Sequence, residues 1–269
     1  MKNTILAIAF VIPFAFNTIQ AKSGSFKEAY DAKDVVKIEL DVGSLALTSN
    51  SSDEIDVECN FDLTGDAVIK PSVTVKKNYL KVEGDVKGPR ENEFRAKVNW
   101  IITVPHGTKV KFEAHSGGVI IENFKGEFVG NTKSGGIEIS NCSAAFSFNT
   151  HSGDINANDV TLNDKSEFST SSGDVMVRLS ESPDSDLSVS TTSGGVTLDF
   201  NGSEVRGYFE MSSMKDRDNI VCPFSFDEEW YVRMGGPGTS YKVVKQFTKG
   251  SNTPFIEISA FPGRAVLKN

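Results

Sequence analysis

A short motif, Ser-Gly followed by Gly or Asp, returns along the middle of the chain at nearly constant spacing. It begins at Ser116, Ser134, Ser152, Ser172 and Ser193, so the intervals are 18, 18, 20 and 21 residues. A fixed period near 20 residues is typical of solenoids, in which each repeat forms one coil and successive coils stack. The motif therefore predicts that residues about 20 apart in sequence lie directly above one another.

The residues around each motif alternate between apolar and polar, as in a β-strand with one buried face. The inward positions after the motif are Val119/Ile121, Ile137/Ile139, Ile155/Ala157, Val175/Val177 and Val196/Leu198. The inward positions before it are Val110/Phe112/Ala114, Phe128/Gly130/Thr132, Phe146/Phe148/Thr150, Ser166/Phe168/Thr170 and Leu187/Val189/Thr191. Each coil is predicted to have one strand on either side of the Ser-Gly corner, and a looser turn in which Phe124, Cys142 or Val160 supplies apolar cover.

The corner positions are predicted to be structural. Their turn glycines are Gly117, Gly135, Gly153, Gly173 and Gly194. Glycine takes positive φ at no steric cost, and neighbouring Ser and Asp side chains can hydrogen-bond the turn backbone. Two corner aspartates, Asp154 and Asp174, are expected to cap their own turns.

The flanking segments have a different rhythm. Strand-like runs VVKIELDVGSLALTS, EIDVECNF, SVTVKKNYLKVEGD and FRAKVNWIITVP predict an N-terminal strand-rich cap over residues 22–104. Regular repeats follow over 105–211, and residues 212–269 form an irregular, aromatic-rich segment and a final coil with Pro262-Gly263-Arg264 at the motif position. The predicted fold is all-β, a two-sheet parallel β-solenoid with an N-terminal cap.

The first 21 residues, MKNTILAIAFVIPFAFNTIQA, have the organisation of a secretory signal peptide. Their apolar run is too short for a membrane span, and no later window is apolar enough for one. We expect a mature chain from about Lys22 that is exported to the periplasm or the cell surface. The formal net charge of -8 disfavours nucleic acid and anionic lipid as partners.

The three cysteines, Cys59, Cys142 and Cys222, match no zinc-site spacing. An exported protein can form one disulfide and keep one free thiol. The same residues can equally be small, buried core residues. The sequence leaves both interpretations open.

These features together resemble a known family. The chain has an exported leader, the opening VGSLALTSNSSDEIDVEC, a strand ending in ITVP, repeated T-x-SGG-I or SGD-V units, and a final coil around FPGRAVL. In these residues, over about 35–267, it resembles the bacterial β-strand-repeat proteins named "putative adhesins", a family of unknown function. The resemblance implies a solenoid in or on the cell envelope, and it brings no catalytic residue with it.

The repeats show no obvious catalytic constellation. Outward residues three before each motif are Glu113, Asn131, Asn149, Ser169 and Ser190, a mixed set typical of a solvated face. A polysaccharide lyase or hydrolase would need converging carboxylates or a Lys or Arg base beside a metal. His115 and His151 share an offset but lie two coils, roughly 10 Å, apart, too far to share one zinc ion. We expect no metal and no cofactor.

One group of residues invites a binding hypothesis: Phe224, Phe226, Trp230 and Tyr231. They either cover the last coils or form a contact for a partner or a glycan. The sequence favours a non-enzymatic, exported envelope solenoid, adhesin-like or scaffolding, whose partner is an envelope protein or a glycan. The alternative is a carbohydrate-active β-helix enzyme that acts on polysaccharide.

Overall fold

The computed structural model describes residues 23–64, 67–88, 96–214, 219–235 and 240–269. The predicted leader lies outside this part of the chain. The described residues form strands and turns with no helix, which confirms the all-β class. The strands are β1 (Ser23–Asp31), β2 (Val35–Val42), β3 (Ser44–Asn50), β4 (Glu54–Leu63), β5 (Val68–Val75), β6 (Tyr79–Lys87), β7 (Ala96–Pro105), β8 (Lys109–Ser116), β9 (Val119–Glu122), β10 (Lys125–Ser134), β11 (Ile137–Ser152), β12 (Ile155–Leu162), β13 (Ser166–Ser172), β14 (Val175–Leu179), β15 (Leu187–Thr191), β16 (Val196–Asp199), β17 (Gly207–Met214), β18 (Ile220–Val221), β19 (Glu228–Arg233), β20 (Tyr241–Lys249), β21 (Phe255–Ala260) and β22 (Ala265–Lys268).

Strands of successive coils pair in parallel and in register. Before the corner, the series β8, β10, the second half of β11, β13, β15 and β21 places Phe128 opposite Phe146. After the corner, the series β9, the first half of β11, β12, β14, β16 and β22 places Ile137 opposite Ile155. Residues about 20 apart in sequence therefore lie side by side, as the repeat predicts.

The inward side chains of the two series form one continuous apolar core. Phenylalanines stack inside it, with the rings of Phe128 and Phe148 4.7 Å apart and those of Phe146 and Phe168 5.7 Å apart. Gly130 lies between Phe112 and Phe148 in the same inward column. A Cβ on Gly130 would lie 2.6 Å from the Phe128 ring and 2.8 Å from the Phe148 ring, so its missing side chain makes room for the stack. Each fully buried Phe or Ile contributes about 1.5–3 kcal/mol.

The first coil begins earlier than the motif indicates. Strands β2 and β3 stack directly on β8 and β9, with Ile38 opposite Phe112 and Leu45 opposite Val119. Residues 51–108 intervene between these two coils. They return as β6 and β7 on the outer side of the first coil. The predicted cap region thus contains both the first coil and the strands that cover it.

The last coil is built in the same way. β21 and β22 stack on β15 and β16, which places Ala265 opposite Val196 and the Pro262-Gly263-Arg264 turn at the corner. Residues 200–254 intervene and place β17 on the outer side of β21 and β18 on the outer side of β22. Each terminal coil is therefore covered by the chain segment that connects it to its neighbour.

The sheet is mixed: its coils pair in parallel, and antiparallel strands are added at both ends. β1–β4, β4–β7 and β5–β6 are antiparallel at the N-terminal end. β17–β20 and β19–β20 are antiparallel at the C-terminal end. A parallel stack needs a whole further coil to cover each exposed edge, whereas an antiparallel neighbour needs only a short turn. Hairpins therefore close the ends of the sheet with few residues.

Candidate functional site

The Ser-Gly corners stack on one another in a tight column. Five corner glycines between Gly117 and Gly194 have φ between 137° and 150°. A Cβ on Gly135 would lie 2.0 Å from the carbonyl oxygen of Gly117 below it. Gly43 and Gly263 extend the column at its two ends, because a Cβ on Gly117 or Gly263 would strike the carbonyl of Gly43 or Gly194. The corners therefore determine shape.

Four polar side chains at the corners form hydrogen bonds with backbone groups. The hydroxyls of Thr170 and Thr191 are buried and donate to the carbonyls of Gly153 and Gly173. The Asp154 carboxylate accepts the Asp174 N–H at 2.8 Å, and the Asp174 carboxylate accepts the Gly195 N–H at 2.7 Å. The expectation that these aspartates cap their own turns is wrong. Each one caps the next coil, because stacking brings that N–H within reach.

One column on the outward side runs across twelve paired strands, and we call it the polar column; its members Ser259, Ser212 and Val244 are buried. Strand register places each of its members opposite the next. In order, they are Ser72, Glu83, Glu39, Glu113, Asn131, Asn149, Ser169, Ser190, Ser259, Ser212, Val244 and Trp230. After Ser72, its chemistry changes from carboxylate through amide to hydroxyl, and it ends with the apolar Val244 and the indole of Trp230. The repeat offsets identify only Glu113 to Ser190; the rest requires the tertiary pairing.

A groove of about 570 Å³ lies along the N-terminal half of this column, and we call it the polar groove. It is lined by Glu39, Leu40, Asp41, Glu83, Asp85, Glu113, Ala114, His115, Asn131, Thr132, Lys133, Asn149, His151 and Ser171. Five of these side chains are carboxylates and one is a lysine. Its volume is within the range of small-ligand sites, about 300–1,000 Å³. Sequence reasoning missed this groove because four of the five carboxylates come from outside the regular repeats.

A lysine forms ion pairs with two of the groove carboxylates. Lys81 Nζ donates to Glu39 at 2.8 Å and to Glu83 at 2.7 Å, and the Ser72 hydroxyl also donates to Glu83 at 3.2 Å. Hydrogen bonds to Glu39 and then to Glu83 raise the pKa of Lys81 above its ordinary value. Since Lys81 pairs with both carboxylates, their side chains are fixed in position, which suits the binding of a ligand.

The two histidines that share a repeat offset both reach the groove. His115 and His151 line it together with Lys133, whose position falls between theirs. Within the described ranges, no set of three or more His, Cys, Asp or Glu side chains is arranged to hold a metal ion. Both imidazoles present ring nitrogens that can form hydrogen bonds in the groove.

A Ser–His pair that the sequence did not reveal lies elsewhere. Ser49 Oγ is 2.8 Å from His106 Nδ1, and it also accepts the Lys125 N–H at 2.8 Å. Only 8% of Ser49 is exposed. The hydroxyl is buried and occupied by a backbone donor, so it connects the end of β3 to two turns and is unsuited to act as a nucleophile.

The predicted aromatic contact set is divided by the structure. The half-buried rings of Phe224 and Phe226 lie 5.6 and 5.9 Å from the Phe247 ring and help to cover the core. Trp230 and Tyr231 lie on β19, where Trp230 is half-buried and Tyr231 is 49% exposed. Phe224 and Phe226 therefore help to cover the core, whereas Trp230 and Tyr231 lie on a more exposed strand.

All three cysteines are free thiols. Cys59 and Cys142 are buried, and Cys222 is partly buried. Burial raises the pKa of Cys59 to about 12 and raises the pKa of Cys142 and of Cys222 as well. Of the two interpretations that the sequence left open, small core residues describe Cys59 and Cys142.

Comparison with known proteins gives the following. The family model described as Toastrack DUF4097 matches residues 18–216. A "putative adhesin" from Bacteroides fragilis has 15% identity and a TM-score of 0.42, with 93% of this chain and 98% of that chain covered. A "putative cell adhesion protein" from Clostridium sporogenes has 11% identity and a TM-score of 0.32, with 92% and 98% covered.

A "putative adhesin" from Parabacteroides distasonis has 12% identity and a TM-score of 0.33, with 92% of this chain and 96% of that chain covered. No curated protein matches the chain. The part of the chain that the structure describes contains no helix with the length and apolarity needed to cross a membrane.

Proposed function

The chain belongs to the Toastrack DUF4097 family, and from that premise we propose that it is a non-enzymatic, exported two-sheet β-solenoid that binds a glycan of the cell envelope in the polar groove. The mature chain starts at about Lys22 in this proposal and acts in the periplasm or on the cell surface. It combines a cap over 22–104, repeats over 105–211 and a tail over 212–269. Its role is adhesin-like, and it needs no cofactor.

The polar groove is the observation that carries the proposal. Its walls are hydrogen-bonded strands, so its side chains are held at fixed spacings before a ligand arrives, which lowers the entropic cost of binding. Carboxylates line one part of it and amides and hydroxyls the other. Such groups accept hydrogen bonds from hydroxyl, amide and ammonium donors. A glycan with hydroxyl and amino groups therefore matches both parts of the groove.

The charges of the groove also favour binding over hydrolysis. Glycoside hydrolysis by two carboxyl groups requires one of them to be protonated as a general acid. Glu39 and Glu83 are ion-paired through Lys81, and Asp154 and Asp174 are used by corner N–H groups. These four carboxylates, of which Asp154 and Asp174 lie outside the groove, already accept hydrogen bonds within the protein, an acceptor role opposite to the donor role of an acid catalyst.

A substitution inside the groove tests the proposal. Asn149→Arg places a long side chain in the groove, and we expect binding of the chain to an envelope glycan fraction to weaken by about tenfold or more. Ser147→Arg is the matched control. Ser147 is exposed on the same face of β11 but does not line the groove, so its variant should bind within about twofold of the original chain.

Immobilised glycan fractions with and without periodate oxidation provide the measurement. Equal binding by the two variants would contradict the proposal. The proposal would also be contradicted if the chain captured a protein whose binding survives periodate treatment and competes with binding of the glycan. Release of new reducing ends from the glycan by the original chain would support the alternative of a carbohydrate-active enzyme.

A further inference from the structure

The outward face of the series after the corner, extended by β18 at one end and by β3, β7 and β4 at the other, carries a row of residues that we call the apolar stripe. Strand register places its members opposite one another in the order Glu58, Ile101, Ala46, Ile120, Glu138, Asn156, Met176, Thr197, Val266 and Val221. Four of them are 40–45% exposed, namely Ile101, Ile120, Met176 and Val221. Exposed apolar side chains grouped in this way mark a surface that another molecule covers.

The apolar stripe and the polar groove lie on opposite sides of the molecule. The inward side chains of the series before and after the corner share one core, so their outward faces point away from each other. The groove is lined by residues of β2, β6, β8, β10, β11 and β13 on the side before the corner. A partner on the apolar stripe therefore leaves the groove open, and its binding is a property separate from that of the groove.

The order of residues in the stripe is self-complementary. Counted outward from a point between Glu138 and Asn156, it reads polar, apolar, small and apolar in both directions. If two copies face each other about a two-fold axis at that point and parallel to the strands, Ile120 lies opposite Met176 of the partner subunit, and this contact occurs twice. The Asn156 amide then faces the carboxylate of Glu138 of the partner subunit, to which it can donate. The outer apolar members match in the same way.

Other registers lose this match. An axis on β11 brings the two copies of Glu138 together and places Ile120 opposite Asn156 of the partner subunit. An axis on β12 places Glu138 opposite Met176 of the partner subunit. An axis on β3 places Glu58 opposite Glu138 of the partner subunit, and like charges that face each other are unfavourable. One register therefore joins apolar to apolar and polar to polar along the stripe.

The size of the stripe is that of a weak dimer interface. It crosses nine strands from β7 to β18. At about 4.8 Å per strand its length is about 40 Å, and the outward residues of each strand give it a width of about 15 Å. Two copies together therefore bury about 1,200 Å², at the lower limit of stable interfaces. Because aligned sheets cross at about 30°, the contacts nearest the axis, those of Ile120 and Met176, match best.

We propose that the chain forms a two-fold symmetric dimer in which the apolar stripes of two copies pack face to face about an axis between β11 and β12. This interface is isologous, so the association stops at two copies. A second copy fits the stripe better than an anionic membrane does, because the stripe contains Glu58 and Glu138 and the net charge of the chain is -8. The two polar grooves then face outward on opposite sides of the dimer.

Substitutions at the best-matched contact test the dimer. Sedimentation velocity of the chain purified from the envelope fraction should show a monomer–dimer equilibrium over rising concentration. Ile120→Lys and Met176→Glu should each raise the dissociation constant of the dimer by about tenfold or more, because each buries an unpaired charge against the partner subunit twice. An equimolar mixture of the two variants should restore the dimer, since one contact then joins opposite charges and the other joins the original Ile120 and Met176.

The mixture separates loss of the interface from damage to the fold. Damage confined to one chain is not repaired by adding the other variant. The matched control is Ser147→Lys, which introduces the same charge at an exposed position of β11 on the side before the corner. Its dissociation constant should stay within about twofold of that of the original chain.

Three results would overturn the proposal. The first is an original chain that stays monomeric up to its solubility limit, including one whose stripe instead binds phosphatidylethanolamine vesicles or another envelope protein. The second is a dimer that Ile120→Lys and Met176→Glu leave unchanged, which would place the interface elsewhere. The third is a mixture of the two variants that stays monomeric.

Discussion

The regular coils and the C-terminal hairpin of β17, β20 and β19 bury their apolar side chains in different ways. In the coils, each residue lies on a similar residue of the next coil, as in the stacked rings of Phe128 and Phe148. In the hairpin, antiparallel strands bring unlike residues together, and half-buried rings such as Phe224 complete the cover. Repetition supplies each coil with a partner inside the chain. The hairpin has no repeat to stack on it, and among the described residues its strand β19 pairs only with β20.

The largest expected difference between the two regions is in core packing. Phe148→Ala should lower the free energy of unfolding by about 3–5 kcal/mol, because the ring is buried between Phe128, Phe146 and Phe168. Phe224→Ala should cost about 1 kcal/mol, since its ring is only half-buried. Urea unfolding measures both. Equal losses would show that the hairpin is packed as firmly as the coils.

The corner glycines should give the next largest effect. Gly135→Ala places a methyl group 2.0 Å from the Gly117 carbonyl oxygen at a φ of 137°, which should cost about 3 kcal/mol. Gly136→Ala, one residue later, meets the Asp154 carbonyl oxygen at 3.7 Å, an ordinary contact, and should cost less than about 1 kcal/mol. Gly235→Ala, beyond β19, meets no atom of the described residues within 4 Å and should be similarly mild.

Thermal unfolding of these three variants tests the comparison. The chain with Gly135→Ala should unfold at a clearly lower temperature than the other two. If Gly136→Ala were as destabilising as Gly135→Ala, the tight stacking of the corners would not be the reason for glycine there.

The smallest expected difference between the two regions is in the reactivity of their thiols. It is measured on the native chain, so no change in stability is involved. Burial raises the pKa of Cys59 to about 12, so at pH 8 about one thiol in 10,000 is ionised. Burial also raises the pKa of Cys142 in the coils and of Cys222 before the hairpin, but Cys222 is only partly buried. We expect Cys222 to be alkylated first in the native chain, and all three thiols to react in urea.

Mass spectrometry of the alkylated peptides over time provides the measurement. A Cys222→Ser variant is the control and should show almost no native labelling. Labelling of Cys142 as fast as that of Cys222 would mean that the coils open as readily as the tail.

Much of the fold follows from local patterns. The inward columns, such as Ile137 and Ile155, are visible as alternation in the sequence, and the final coil is visible as Pro262-Gly263-Arg264 at the motif position. The period does not identify the first coil, because an insertion of strands separates Gly43 from Gly117. The antiparallel pairing at the two ends has no repeat from which its register could be predicted.

The candidate site was less accessible to sequence reasoning. Glu113, Asn131 and Asn149 were identified as an outward column, but they were interpreted as a solvated face. The groove exists because Glu39 and Glu83 join that column through strands β2 and β6. Neither residue has a repeat offset that places it there.

By itself, the sequence determined the period of the coil, the residues that face the core and the need for glycine at each corner. These properties depend on contacts between neighbouring repeats, and each repeat carries the same signal. The tertiary structure alone decided which distant segments cover the terminal coils, which carboxylates meet in the groove and which strand is left at the edge. These features depend on backbone pairing and burial between segments that do not repeat one another. A local sequence pattern does not determine the register in which such segments pair.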